Sequence, residues 1–418
     1  MTLPLILFIV LLASLGLPLF AALGAGGLLA AHDAGLDTAV LVIELHRLAA
    51  SPNLTAIPLF TFAGVILAAG GAPQRLIRLF NALIGWLPGG IAAVALLASA
   101  FFTAFSGASG VTILALGGLL FPMLLAVGYR ERFSLGLLTS SGSIGLLFPP
   151  SLAVLLYGIV AGVNIDDLFL AGALPGLLLL VLVGLFCMAI GIRHSIPRQA
   201  FELPALRGAV REGLWDLLLP VGVVWGIFGG YVTVGEAAAG TAAYVLLLEI
   251  VIHRSLALRQ MPAVLRETSV LVGSILIILG IAMGLTNLLI DAQLPMRLLD
   301  WMRGNIDSPL QFLLLLNILL LAVGAVMDIF SAIVVLTPLI LPLALQFGVN
   351  PVHLGVILLA NLEIGYCTPP VGINLFIASQ RFGRPCLSLF IAALPFLAVM
   401  LLWLLVVTYV PWLSLWWE

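Results

Sequence analysis

The stretch GSIGLLFPPS (residues 142–151) interrupts an otherwise apolar segment of the chain. A second stretch, GYCTPP (residues 365–370), ends on the same pair of prolines. Proline lacks a backbone N–H and its ring clashes with the carbonyl one turn earlier, so each pair predicts a break in a helix. In hydrocarbon, unpaired backbone groups persist only where they are buried in protein or line a wet cavity. The two stretches therefore predict two discontinuous helices whose breaks serve a function.

The composition is that of an integral membrane protein. Of the 418 residues, 63% are hydrophobic and 8% are charged, and the mean hydropathy is +1.28. Repeated apolar segments of this length predict an all-α polytopic membrane protein. The net charge of −2 argues against a nucleic-acid partner. Every basic side chain other than histidine is an arginine, so the chain has no lysine for a nucleotide-binding G-x-x-x-x-G-K-[ST] motif.

The two proline pairs belong to an internal repeat. Four pairs of glycines and prolines are each 220 residues apart: Pro149 and Pro369, Gly145 and Gly365, Pro122 and Pro342, and Gly128 and Gly348. Clusters of arginine indicate the cytoplasmic loops. By this rule a hairpin in the first copy opens to the inside, and its counterpart in the second copy opens to the outside. The pattern predicts an inverted-topology repeat, which is typical of secondary transporters.

The repeat divides the chain into three predicted parts. Residues 1–192 form the first repeat, residues 193–216 a cytoplasmic linker and residues 217–418 the second repeat. The predicted re-entrant hairpins cover roughly 89–128 and 309–347, and the predicted broken helices roughly 133–160 and 353–380. The first crossing, predicted at 3–31, is interpreted as a retained helix rather than a cleaved signal. Arg297 and Arg303 depart from the cytoplasmic pattern of the other arginines.

The hairpin tips and breaks are the candidate binding elements. Backbone carbonyls and nearby hydroxyls suit a hard monovalent cation, and the N-terminus of a half-helix suits an anion. The first candidate ion site comprises Ser106, Gly107, Ser109, Ser141, Gly142, Ser143, Gly145, Pro149 and Pro150. The second comprises Gly324, Asp328, Asn361, Glu363, Gly365, Thr368, Pro369 and Pro370. Candidate substrate contacts are Ser109, Thr139, Ser140 and Asn374. The alternative is that the prolines only kink the helices and the serines bond to the preceding turn.

Other polar residues give weaker signals. Glu236 either caps a helix or binds a ligand, and the sequence leaves both open. His353 follows GVNP and is interpreted as a solvated residue near a surface. Glu249 and His253 are expected near the end of a helix, at the level of the lipid headgroups.

Several motifs resemble those of one transporter family. SGASGVTILALGGLLFPMLLAVGY, GLLTSSGSIGLLFPPSLAVLLYG and GVILLANLEIGYCTPPVGINLF are similar to the large membrane subunit (M, or DctM-like) of tripartite ATP-independent periplasmic (TRAP) transporters. IPLFTFAG and TVGEAAAGTAAY are similar as well. The resemblance spans essentially the whole chain.

The resemblance implies an importer of organic acids in a bacterial or archaeal inner membrane, with an elevator-type fold. It implies that a sodium gradient drives transport, that a periplasmic binding protein delivers the substrate, and that a small four-helix Q subunit braces the complex. Q is expected to be a separate chain. The family's sodium sites carry over to residues 106–109 with 141–143, and to residues 324–328 with 365–368. Which acid is carried stays open among sialic acids, dicarboxylates, keto acids and other carboxylates.

Two alternatives compete with this interpretation. SGASG contains G-x-S-G, which is compatible with a serine hydrolase, but a nucleophilic Ser109 would need a histidine base at membrane depth. The other alternative is a stand-alone ion-coupled anion carrier of related fold that needs no partner proteins.

Overall fold

A computed structural model describes residues 19–33, 52–198, 200–291 and 308–418, with the single positions 35, 43, 46 and 306. All regular secondary structure in these ranges is helical. Much of the predicted first crossing, and both Arg297 and Arg303, lie outside the described residues.

The α-helices are α1 (Leu19–Asp33), α2 (Ala56–Ala69), α3 (Ala72–Ile84), α4 (Gly90–Ser106), α5 (Ser109–Val127), α6 (Glu131–Ser141), α7 (Leu152–Ala161), α8 (Ile165–Arg193), α9 (Leu203–Phe228), α10 (Val234–Leu246), α11 (Met261–Asp291), α12 (Pro309–Gly324), α13 (Ile329–Gln346), α14 (Pro351–Gly365), α15 (Ile373–Phe382) and α16 (Cys386–Tyr409). Short 3₁₀ turns cover Pro52–Thr55, Ile144–Leu147, Leu258–Gln260 and Pro411–Leu413, and a π-helical turn covers Leu247–Ile252.

The described helices make this a multi-pass membrane protein. Six of them are long and apolar enough to cross a bilayer, or up to eight crossings if each of two bent pairs counts as one. One bent pair is α2 with α3, which meet at 75°. The other joins residues 131–147 to α7 at 45°, across the stretch that contains the first proline pair.

The helices repeat along the chain as the glycines and prolines do. Helices α5 and α13 begin at Ser109 and Ile329, and α6 and α14 begin at Glu131 and Pro351, so both pairs are 220 residues apart. The Ser143 hydroxyl donates to the carbonyl oxygen of Glu363, its own equivalent 220 residues later, at 3.3 Å. In a two-fold arrangement only groups close to the axis contact their equivalents. The predicted fold class is confirmed: an all-α inverted repeat with two hairpins and two discontinuous helices.

The hairpins and the broken helices pack into one another. The second arm of the first hairpin, α5, packs on α15, and the second arm of the second hairpin, α13, packs on α7. Each hairpin thus covers the second half of the broken helix from the opposite repeat. A second group of helices consists of α1, α2, α3, α9, α10 and α11, which pack chiefly on one another.

The structure refines two sequence-based expectations. Helix α9 begins at Leu203, inside the predicted linker, so the non-helical connection is shorter than residues 193–216. Glu249 lies near the end of a helix, as expected, and its side chain is fully buried. It lies on the π-helical turn, where it forms an ion pair with Arg75 of α3. Arg75 also bonds Asp216 of α9, with 2.7 Å between Nε and Oδ2.

Glu236 acts as a helix cap, one of the two roles left open above. Its carboxylate accepts from the backbone N–H of Thr233 at 2.8 Å, and the Thr233 hydroxyl accepts from the N–H of Glu236 at 3.3 Å. This reciprocal capping box fixes the start of α10.

Candidate functional site

The first hairpin turns sharply at residues 106–109, called tip 1 below. Helix α4 ends at Ser106 and α5 begins at Ser109, with Gly107 in the left-handed region at φ +64°. A β-carbon on Gly107 would lie 2.6 Å from Cγ of Leu152, the first residue of α7. Both the positive φ and the close contact require glycine here. The turn therefore brings backbone against the first break (residues 142–151, break 1).

Hydroxyl groups one turn from the tip connect it to break 1. Thr103 donates to the carbonyl of Gly142 at 2.8 Å, and its hydroxyl lies 2.6 Å from that of Thr112. Ser106 donates to the carbonyl of Ala108 at 3.4 Å. The sequence-based reasoning missed Thr103 and Thr112. Their spacing of about one helical turn from Ser106 and Ser109 is the signal that could have identified them.

The candidate serines at the end of α6 and in break 1 differ in their bonding. Ser140 donates back to the carbonyl of Gly136 at 2.8 Å, as serines in helices commonly do. Ser143 donates to the carbonyl of Ser140 at 3.4 Å and to Glu363 across the axis. The Ser141 hydroxyl is fully buried and has no hydrogen-bond partner among the described residues. Ser151, at the other end of break 1, is also buried without a hydroxyl partner in the described ranges, so Ser141 and Ser151 are the serines here that are free to accept a new ligand.

The two proline pairs occupy different surroundings. Pro149 lines an apolar crevice of about 280 Å³ with Phe101, Phe148 and Val224, and Pro150 is buried. Pro369 and Pro370 are both exposed. The first pair is thus enclosed among apolar side chains, whereas the second pair lies at an exposed position of break 2.

The second hairpin turns at residues 324–328 (tip 2) against residues 366–372 (break 2). Gly324 and Gly365 are in backbone contact, since a β-carbon on Gly365 would lie 2.7 Å from the α-carbon of Gly324. The carbonyl of Ala325 accepts from the N–H groups of Val371 and Gly372, both at 3.0 Å. Tip 2 and break 2 thus come together in the same way as tip 1 and break 1.

Asp328 is the N-cap of α13. Its Oδ1 accepts from the N–H of Ser331 at 3.0 Å, and its Oδ2 accepts from the Ser331 hydroxyl. The Tyr366 hydroxyl, which sequence reasoning did not select, accepts from the N–H of Ile329. Thr368 bonds back to the carbonyl of Ile364 at 3.1 Å.

The candidate substrate residues link the two halves. Ser109 donates to Oδ1 of Asn374 at 2.7 Å, and Nδ2 of Asn374 donates to the carbonyl of Thr139 at 3.4 Å. The Thr139 hydroxyl bonds back to Leu135 at 2.7 Å, so its carbonyl rather than its hydroxyl faces Asn374. Ser109, Thr139 and Asn374 form one cluster, in which the Ser140 hydroxyl takes no part.

Asn361 and Glu363 make different contacts on α14. Asn361 bonds Asn317 of α12, with 2.7 Å between Nδ2 and Oδ1, while its own Oδ1 is buried and unpartnered within the described part of the chain. Neither carboxylate oxygen of Glu363 has a partner among those residues. Both side chains are fully buried.

His353 is not solvated, contrary to the expectation from its sequence position. It is 2% exposed, and its Nε2 lies 3.3 Å from the carbonyl of Thr408 on α16. GVNP ends at Pro351, the first residue of α14, so His353 already lies within the helix and faces its neighbours. Asn317 and Thr408 were also missed, and their isolated positions in apolar helices were the available signal.

Comparison with known proteins decides the family. A family model described as the tripartite ATP-independent periplasmic transporter, DctM component, matches residues 5–413. The chain belongs to the DctM family. The resemblance inferred from the motifs is confirmed. Because Ser109 bonds an amide in place of a histidine and relatives are transporter permeases, this DctM component is a transport subunit and not a hydrolase.

Relatives from several bacteria are named for different substrates. The C4-dicarboxylate TRAP transporter large permease protein DctM of Pseudomonas aeruginosa is 36% identical over 376 residues, which cover 90% of this chain and 88% of that protein. The isethionate TRAP transporter permease protein DctMQ of Oleidesulfovibrio alaskensis is 37% identical over 364 residues, which cover 86% of this chain and 57% of that protein. In structure, the chain is similar to the YdaH transporter of Alcanivorax borkumensis, with a TM-score of 0.62 and 16% sequence identity. The match covers 90% of this chain and 88% of that one. This last likeness concerns the fold alone.

Proposed function

We propose that this DctM component imports an organic acid carboxylate by coupling its movement to a sodium gradient. The observation that carries the proposal is the pairing of two hairpin tips with two helix breaks at one constant repeat offset. Two buried side-chain oxygen atoms at equivalent positions of the two repeats, in Ser141 and Asn361, have no hydrogen-bond partner among the described residues. Unsatisfied buried oxygens are costly, and a bound cation would satisfy them.

Sodium would be held by hydroxyl and carbonyl oxygens in each half. In the first half, tip 1 and residues 141–145 supply them, with Thr103 holding the Gly142 carbonyl. In the second, Gly324, Asp328, Asn361, Glu363, Gly365 and Thr368 are the candidates. Asp328 would have to share its carboxylate between the cap of α13 and the ion.

The substrate carboxylate would be bound by the cluster of Ser109 and Asn374. The Ser109 hydroxyl and the Asn374 amide are hydrogen-bond donors that can turn from each other to an anion. Relatives are named for C4-dicarboxylates, isethionate, ectoine and 2,3-diketo-L-gulonate. These are small organic compounds and mostly acids, and C4-dicarboxylates are the first substrates to test.

The transport movement would be of the elevator type. The interlocked hairpins and broken helices would move together, and the group of α1, α2, α3, α9, α10 and α11 would stay as the scaffold. Interlocking supports this division, because each hairpin packs on the broken helix of the opposite repeat.

The assembly would be tripartite and located in a bacterial or archaeal inner membrane. The family description names a periplasmic transporter with a DctM component, so we expect a periplasmic binding protein and a small Q subunit as partners. We expect Q as a separate chain, although the name of the isethionate relative combines M and Q.

Uptake in proteoliposomes tests the proposal. With the small subunit, the binding protein and a labelled C4-dicarboxylate present, uptake should require an inward sodium gradient. It should stop when choline replaces sodium at a clamped membrane potential. Asp328→Ser keeps a capping side chain for α13 but removes the carboxylate, so it should weaken the response to sodium while preserving the fold. Undiminished uptake in choline contradicts sodium coupling, and full uptake without partners supports the stand-alone carrier.

A further inference from the structure

The side chain of Asn361 is held in one orientation by two hydrogen bonds. Its Nδ2 donates to Oδ1 of Asn317 at 2.7 Å and to the carbonyl of Ile357 at 2.8 Å. Because both amide protons are engaged, the plane of the amide is fixed and Oδ1 points away from these partners. That oxygen atom is buried and has no hydrogen-bond partner in the described part of the chain.

The repeat gives this unpartnered oxygen an equivalent. Ser141 occupies the matching position of the first half, 220 residues earlier, and its hydroxyl is likewise buried and, within the described ranges, unpartnered. A side-chain oxygen left open at the same position of both halves supports a shared ligand-binding role, because a buried oxygen without a partner is costly unless a ligand satisfies it.

Asn317 is in turn held by a second helix. Its Nδ2 donates to the Thr408 hydroxyl of α16 at 3.1 Å, and that hydroxyl lies 3.3 Å from Asn317 Oδ1. The carbonyl of the same Thr408 contacts His353 of α14 at 3.3 Å. Four polar side chains on three helices thus form a connected set among apolar neighbours, with each of them at most 4% exposed.

We propose that Thr408 and Asn317 are positioning residues, which orient the Asn361 amide so that its oxygen coordinates sodium at the second ion site. The inference rests on the proposed sodium coupling and adds two residues that lie outside tip 2 and break 2. Thr408 fixes Asn317, and Asn317 holds the amide nitrogen of Asn361, which leaves the amide oxygen for the ion. In other metal sites, residues that hydrogen-bond to the metal ligands orient those ligands and tune the affinity for the metal.

Sodium-dependent thermal stabilisation of the purified full-length chain tests the proposal without requiring transport. Choline keeps the ionic strength constant during the titration. Thr408→Val is nearly isosteric and removes only the hydroxyl, so Asn317 can rotate and the half-saturating sodium concentration should rise about tenfold. Thr408→Ser restores the hydroxyl and should recover most of the affinity.

Thr61→Val is the matched control. Thr61 is a buried threonine in α2 that bonds back to the carbonyl of Ile57 at 2.7 Å. The chemical change is the same, but the half-saturating sodium concentration should stay at the value of the parent. Asn317→Leu should raise the half-saturating sodium concentration as Thr408→Val does. The double variant should bind sodium no more weakly than the more affected single variant, because both changes break the same series of contacts.

Three results would overturn the proposal. If Thr408→Val lowers the melting temperature but leaves the half-saturating sodium concentration unchanged, as in Thr61→Val, the contacts serve only packing. If Asn361→Ala keeps the full sodium response, Asn361 is not a ligand, although sodium coupling itself stands. If the folded parent shows no sodium-dependent stabilisation and no sodium-dependent uptake, the proposed sodium site fails, and the positioning role fails with it.

Discussion

At the tip of the first hairpin, Gly107 satisfies two requirements at once. Its φ of +64° is strained for any residue with a β-carbon, and Leu152 occupies the space in which that carbon would lie. Gly162, at the end of α7, has nearly the same φ of +66°, but a β-carbon there would meet no described atom within 4 Å. Comparing substitutions of Gly107 and Gly162 therefore separates the cost of backbone strain from the cost of the steric clash with Leu152.

Gly107→Ala should therefore abolish substrate uptake and lower the melting temperature more than Gly162→Ala does. Strain alone costs about 1–2 kcal/mol, and only the Gly107 variant also displaces α7 from tip 1. Melting curves and uptake of both variants provide the measurement. Equal effects of the two substitutions would show that the tip tolerates a larger side chain.

Among the helices and turns, the contact between tip 2 and α14 depends on glycine. Gly324 and Gly365 meet backbone to backbone, and a β-carbon on Gly365 would lie 2.7 Å from the α-carbon of Gly324. In the first half, Gly145 contacts the end of α4 at Thr103 and Ala104. Equivalent glycines in both repeats thus let a hairpin approach its break, which explains their recurrence at a constant interval.

Gly365→Ala should push tip 2 away from α14 and reduce both stability and sodium-dependent stabilisation. Gly184→Ala in α8 is the control, because a β-carbon there would meet only Leu96 Cδ2 of the described residues, at 3.8 Å. It should stabilise the protein by about 0.5–1 kcal/mol, since alanine is the better helix former. Thermal unfolding in sodium and in choline measures whether Gly365→Ala lowers the melting temperature while Gly184→Ala raises it. If the Gly365→Ala variant is less stable but keeps the sodium affinity of the parent, Gly365 does not contribute to sodium binding.

Across the whole molecule, a buried ion cluster joins helices that are remote in sequence. Arg75 of α3 is 5% exposed and lies between Asp216 of α9 and Glu249 beyond α10, with further contacts from Ser255 and the N–H of Gly71 to Glu249. The neighbouring Arg78 forms an exposed pair with Glu212 at 3.1 Å. Arg75 thus fixes the bend between α2 and α3 to the rest of the scaffold group.

Arg75→Leu should destabilise the protein by about 3–5 kcal/mol, because it leaves two carboxylates buried without a counter-charge. Arg78→Leu should change stability by at most about 1 kcal/mol, since exposed ion pairs contribute little. Thermal unfolding of both variants at one pH measures the difference. Similar losses for the two arginines would mean that the buried cluster is not what joins α3 to α9 and α10.

The sequence by itself determined the class of the molecule and the location of its candidate site. Composition alone required a helical membrane protein, and glycine and proline revealed the repeat because these residues act through the backbone wherever they occur. The motifs around residues 106–109 and 365–370 identified the family. Sequence periodicity could not place Glu249 or His353, because a polar residue near a helix end is compatible with solvent or with burial.

Only the tertiary structure decided which polar groups have partners. The bond from Ser109 to Asn374 and the contacts of Thr408, Asn317 and Asn361 join residues that are far apart in the chain. Hydrogen bonds depend on distances of a few tenths of an ångström and on direction. The packing of whole helices sets these, so no local pattern encodes them. The prolines mark where the helix breaks, but packing determines which buried oxygens in the described part of the chain are left without a hydrogen-bond partner.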